Sequence, residues 1–319
     1  MQVFFDMLGR LALFLLLGVP GFVLAKLGKI DAKGRAALVN LLLYVAMPFL
    51  VFSNLLETDI HALHPAEWIT CAVFPAVIMG IVALTCVCLF PGNGDKARIC
   101  RFCSTFANCG FLGLPLAKSL FPDKPAIALF IAIYNILSTV LLYVLGGMML
   151  SGGDGDGKRK NWVKILISPL TVGAVVGVIC SLCDLGARFP AIVSFARYSG
   201  DTTTLLSMTV LGCLLATLPH RPWLKESGLW LSALMKLVVS PLVTMGILLF
   251  LCRVCHLPLG DEALLALLIS TAVSTAASAP SMAEDYGRDP HYAAALTLGN
   301  TLLCLVSLPF VYLLFNLIF

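Results

Sequence analysis

Apolar runs long enough to cross a bilayer recur along this chain from residue 9 to residue 318, and nothing else in it constrains the fold so tightly. A spanning helix needs about 20 mainly apolar residues, and within lipid its backbone N–H and C=O groups must be satisfied by the protein itself. Only 12% of the 319 residues are charged and 60% are hydrophobic, against about 25% charged in an ordinary soluble domain. The chain therefore reads as an all-α polytopic membrane protein. Its ten apolar segments have cores near 9–26, 37–56, 67–90, 101–121, 125–150, 162–183, 189–218, 228–252, 262–286 and 290–318. The first is not a secretory signal, because its basic cluster (Lys26, Lys29, Lys33, Arg35) follows the apolar run instead of preceding it. Basic tracts interleaved with aromatics are missing, so nucleic acid is not an expected partner; the lipid bilayer is.

The one long polar connector is "SGGDGDGKRKN", residues 151–161. It divides the chain into a first five-helix repeat at 1–150 and a second at 162–319. Fourteen of the 21 Lys and Arg residues fall in the loops after segments 1, 3, 5, 7 and 9, and six fall on the opposite side (Arg10, Lys118, Lys124, Arg188, Arg197, Arg253). The positive-inside rule then places the connector in the cytoplasm and both termini outside. Five helices per half make the second half cross in the opposite direction. Two such halves form an inverted repeat, a plan common among secondary transporters.

Segments 4 and 9 share an anomaly. Segment 4 carries "TFANCGFLGLPLAKSLF" and segment 9 carries "ISTAVSTAASAPSMAEDY", each a small and polar stretch ending at a proline, Pro115 and Pro280. Inside a helix proline removes a donor and clashes with the carbonyl four residues back, at about 3 kcal/mol. At the start of a helix it is well suited. Each segment is therefore expected to be two half-helices, with Pro115 and Pro280 opening the second halves; ordinary proline kinks are the alternative. Opposed half-helix N-termini would bring unpaired N–H groups and partial positive charge to mid-membrane, an anion site without charged side chains.

The sequence resembles the auxin efflux carrier family of ten-helix transporters, in its bacterial malonate-carrier branch, a family related in fold to the bile acid:sodium symporter type. The resemblance rests on "LVNLLLYVAMPFLVF", "NCGFLGLPL", "LMKLVVSPLV" and "EDYGRDPHYAAALTLGNTLLCLVSLP". It implies a scaffold of helices 1, 2, 6 and 7 that forms a homodimer. Helices 3–5 and 8–10 would form a transport domain, with helices 4 and 9 crossing at their breaks. It implies elevator-type movement of a small organic anion, a mono- or dicarboxylate that is malonate-, malate- or auxin-like, with the substrate at Asn108. The short connector, unlike the long loop of plant auxin exporters, removes any implication of auxin itself.

The candidate substrate-binding residues are Asn108, Cys109, Gly110, Gly113 and Pro115 in segment 4 and Ser274, Thr275, Ser278, Ala279 and Pro280 in segment 9. Asn108 could bind a carboxylate or tie two helices together, and the hydroxyl residues, Ser104 among them, could equally serve close packing. Thr105, Lys236 and Asp201 are candidate coupling or supporting residues. Lys236 is the one base well inside a span, placed to act there or to snorkel to the interface. Asp201 reads equally as a helix N-cap. No cofactor is expected beyond a coupling proton or sodium ion. Three Cys-x-x-Cys pairs occur, and "CRVCH" at 252–256 matches a haem-attachment string. On apolar helices these cysteines are read as small buried hydrophobes. A passive anion channel and a receptor that does not transport are the competing functions. An enzyme is disfavoured by the lack of nucleophile, paired-Asp or metal motifs.

Overall fold

The computed structural model describes residues 16–57, 63–151, 169–183, 185–216 and 226–319, with residues 9 and 13. The connector after Ser151 and the beginnings of segments 1 and 6 lie outside the described residues. The described chain is helical. Its helices are α1 (Val19–Lys26), α2 (Ala32–Glu57), α3 (Pro65–Leu89), α4a (Asp95–Thr105), α4b (Cys109–Leu120), α5 (Pro125–Ser151) and α6 (Pro169–Leu182). They continue with α7 (Pro190–Ala216), α8 (Ser227–Arg253), α9a (Asp261–Ala272), α9b (Ala279–Asp285) and α10 (Pro290–Ile318). By length and composition α2, α3, α5, α8 and α10 can each cross a membrane. They answer to segments 2, 3, 5, 8 and 10. Segments 4 and 9 are cut in two, and α7, though 27 residues long, carries the polar run "ARYSGDTTT".

Helix starts follow local chemistry. Five of the described helices (α3, α5, α6, α7 and α10) begin on a proline, whose fixed φ suits the first turn and whose missing N–H would have no partner there. Asp31 caps α2 through Gly34 N–H at 2.7 Å, and Asp289 caps α10 through His291 N–H at 2.9 Å. At the start of α3, His64 and Glu67 form a reciprocal capping box, and Glu67 Oε1 also accepts from Gly260 N–H at 2.8 Å, holding the entry to α9a.

Among the described residues three helices contain a five-residue π turn, and all three turns stand in the same relation to a proline. The turns are Leu42–Ala46, Cys109–Gly113 and Met235–Val239, followed two residues later by Pro48, Pro115 and Pro241. The clash between a proline ring and the carbonyl four residues back accounts for this: widening the preceding turn moves that carbonyl aside.

The helices pack in two groups. In the first, α7 lies on α1 and α2, and α6 lies on α2. These crossings are close enough to require glycine: a Cβ on Gly212 of α7 would strike the Gly18 carbonyl, and one on Gly200 would lie 2.7 Å from Leu50 Cα. In the second group α5 packs on α3, α4a and α9a, while α10 packs on α8, α4a and α9b. The two groups meet where α2 touches α5 and α4b touches α7.

Candidate functional site

Both anomalous segments are broken, and the breaks cross. The helix α4a ends at Thr105, and Phe106 is extended (φ −96°, ψ 130°); α9a ends at Ala272, and Val273 is extended (φ −71°, ψ 163°). The two extended stretches run antiparallel through a single bridge, Ala107 to Thr275. Asn108 N–H donates to Ser274 O at 2.8 Å, and Ala276 N–H donates to Phe106 O at 3.0 Å. Each break thus satisfies backbone groups that the other has exposed, as the membrane interior demands.

The second halves restart differently. The Asn108 carbonyl accepts from Leu112 N–H at 3.1 Å and from Gly113 N–H at 3.0 Å, so helical bonding resumes at Cys109 in π geometry. Pro115 therefore does not open the second half of segment 4, contrary to expectation. It lies inside α4b, where the π turn absorbs its clash. Pro280 sits in the first turn of α9b, as expected, with Ser278 at the N-cap position.

A buried polar network surrounds the bridge. Thr275 Oγ1 donates to Cys103 O at 2.7 Å and accepts from Asn300 Nδ2 at 2.7 Å. Asn300 Nδ2 also donates to Ser232 Oγ at 3.2 Å, as does Ser104 Oγ at 3.2 Å, and Thr301 Oγ1 donates to Ser274 Oγ at 3.1 Å. Helices α4a, α8 and α10 are joined to the break of segment 9 through these hydroxyls and one amide. Ser232, Asn300 and Thr301 were not among the sequence candidates. Their signal was polarity in the middle of apolar runs, as in "LTLGNTLLCLV".

Asn108 is buried, and its side chain caps nothing. It lines a cavity of about 20 Å3 with Phe111, Leu112, Ser207, Met208 and Leu211, on the seam between α4b and α7. Gly110 faces a second amide: a Cβ there would lie 3.4 Å from Asn135 Nδ2. Further along the seam Lys118 Nζ meets Asp201 Oδ1 at 2.6 Å. The N-cap reading of Asp201 is therefore corrected: α7 begins at Pro190, and the carboxylate pairs across the seam. The snorkelling alternative for Lys236 is also corrected, since the residue is 1% exposed within the π turn of α8. Thr105 is buried and donates to Arg101 O at 2.8 Å, an ordinary bond to the preceding turn. All twelve cysteines are free thiols, the three Cys-x-x-Cys pairs included.

A family model described as membrane transport protein matches residues 7–312. An uncharacterized transporter of Methanothermobacter thermautotrophicus is 25% identical over 235 residues, which are 73% of this chain and 75% of that protein.

Proposed function

The chain belongs to the membrane transport protein family, that of the auxin efflux carriers, and from that premise we propose that it is a secondary carrier of a small organic anion. The observation that carries the reading is the pair of crossed breaks with Asn108 beside them. Asn108 lies at the restart of segment 4, where the N–H groups of the first turn of α4b precede its first helical bonds. An amide free of capping duty, next to open backbone donors, suits a carboxylate. Ser274, Thr275 and Ser278 belong to the opposite break, whose Ala277 lines the same cavity.

The carrier comprises ten spans in two inverted halves within the cytoplasmic membrane, with both termini outside. Helices α3–α5 and α8–α10 move as a body against α1, α2, α6 and α7, which also provide the dimer contact. The grouping of helix contacts supports this division. The cavity beside Asn108, at about 20 Å3, has room for about one water. A carboxylate enters it only when α4b and α7 part, which is the displacement an elevator supplies.

The test is counterflow in proteoliposomes, using a panel of labelled mono- and dicarboxylates such as acetate, malonate and malate. Saturable uptake driven by trapped unlabelled anion is expected, together with its loss in Asn108→Ala. Flux without saturation or counterflow would identify a channel. Normal uptake by Asn108→Ala would remove the substrate from this site.

A further inference from the structure

Lys236 is the residue that the anion site leaves unexplained. It lies wholly inside the protein, in the π turn of α8, and no acid among the described residues comes within ion-pair distance of it. Three thiols, Cys86 of α3, Cys109 of α4b and Cys304 of α10, lie within electrostatic reach of the amine. Both helix breaks also converge on this place. The Cys109 thiol donates to Ser270 O at 3.1 Å and the Cys304 thiol to Ala272 O at 3.6 Å, two carbonyls in the last turn of α9a. Cys86 faces Ser104 and Thr105, in the last turn of α4a. The acids of α9a, Asp261 and Glu262, stand at its far end, as Asp95 does in α4a.

The amine is therefore set among thiols that abut the C-terminal ends of two half-helices. Such ends carry partial negative charge and open carbonyls, and in transporters with broken helices they hold the coupling cation. A second observation points the same way. Asn300 Oδ1 is buried without a partner, one turn before Cys304, while its amide nitrogen is committed to Ser232 and Thr275. Ser232, which that amide meets, lies one turn before Lys236 on α8, so the unused acceptor stands on α10 beside the turn of α8 that leads to the amine.

We propose that Lys236 is a built-in coupling cation: its amine takes a proton when an organic anion occupies the crossover and releases it when the crossover is empty. This rests on the anion-carrier reading. A buried ammonium without a carboxylate is costly, and an arriving carboxylate supplies the missing counter-charge. One proton enters from the water on the open side with each carboxylate and leaves with it on the other. A monocarboxylate would then move without net charge, and sodium would have no place to bind.

The test uses the full chain purified in detergent, comparing thermal midpoints from pH 6 to pH 9 for the wild type, Lys236→Met and Lys236→Arg, each in sodium or choline chloride. The wild-type curve is expected to depart from both variant curves by on the order of 2–4 °C across that range, with sodium and choline equivalent. Parallel curves for the three proteins would overturn the proposal, as would a midpoint raised by sodium alone in the wild type. Should Lys236→Met fail to fold, the charge-locked Arg variant decides alone. Acetate, malonate and malate form a separate arm: if none shifts a midpoint, the anion-carrier reading falls, while the pH curves still judge Lys236 by themselves.

Discussion

The breaks in segments 4 and 9 look alike in sequence and are built differently. Their first halves end in the same manner: α4a and α9a each pass into an extended residue, Phe106 or Val273, and the two strands bond to each other. Their second halves diverge. Helix α4b restarts at once through a π turn and runs twelve residues with its proline buried inside, whereas α9b begins after a longer turn, with its proline in the first turn, and runs seven. The shared feature is mutual satisfaction of backbone groups, which lipid enforces. A proline marks where a helix is constrained, and that need not be where it begins.

The bridge itself gives the largest expected effect. Ala276→Pro removes the N–H that donates to Phe106 O and leaves a buried carbonyl unpaired, which costs about 1–3 kcal/mol. Crowding by the ring in a buried position adds about as much again. Loss of folded protein, read by size-exclusion yield and thermal midpoint, is expected. Asn108→Ala, on the opposite strand, keeps its N–H and should change stability by less than about 1 kcal/mol while abolishing transport. Equal stability losses in the two variants would mean that the bridge is not what holds the crossing.

Asn300 comes next. Replacement by Leu leaves Ser232 Oγ and Thr275 Oγ1 without their shared donor, at a cost of about 2 kcal/mol. Asn300→Asp should not rescue it, since a carboxylate has no N–H to give. Rescue by Asp, measured as a thermal midpoint, would assign the network the opposite polarity.

Much of this was legible in the sequence because lipid leaves so few options. A helix there cannot hide an unpaired carbonyl, so the polar and small residues "NCG" and "STAAS" betray the breaks. The burial of Lys236 was not legible, since the rotation of α8 is set by packing against α10, α9a and α4a and not by its own residues. The partner of Asp201 was hidden for a similar reason: Lys118 lies far away in sequence and meets it only after folding. The π turns were hidden too. Their common signature, a proline six residues after the turn begins, becomes visible only once the preceding residues are known to be helical.

The two prolines should respond differently. Pro280→Ala loses a residue suited to a first helical turn and should lower stability by about 0.5–1 kcal/mol. Pro115→Ala restores a backbone donor opposite the Phe111 carbonyl and lets the π turn relax. A gain of about 1 kcal/mol from the new bond, offset by a more flexible unfolded chain, leaves stability unchanged or slightly raised. Thermal midpoints that fall equally in both variants would show that Pro115 helps begin α4b after all.

The smallest effect concerns a tether between the second half of segment 4 and α7. Helix α4b is tied to α7 by Lys118 and Asp201 at 2.6 Å, and among the described residues no ion pair joins α9b to α7. With the carboxylate half exposed, the pair is worth roughly 0.2–1 kcal/mol at low salt and less at high salt. A double-mutant cycle with Lys118→Met and Asp201→Asn should return a coupling energy in that range, shrinking as salt rises. If α4b moves against α7 during transport, the pair exists in only one arrangement of the seam. Breaking it should then raise the turnover rate or lower the anion affinity modestly, while the stability of the bridge stays the same. A coupling energy near zero, with transport unchanged, would leave the two second halves equally free of α7 and confine the difference between the breaks to their prolines.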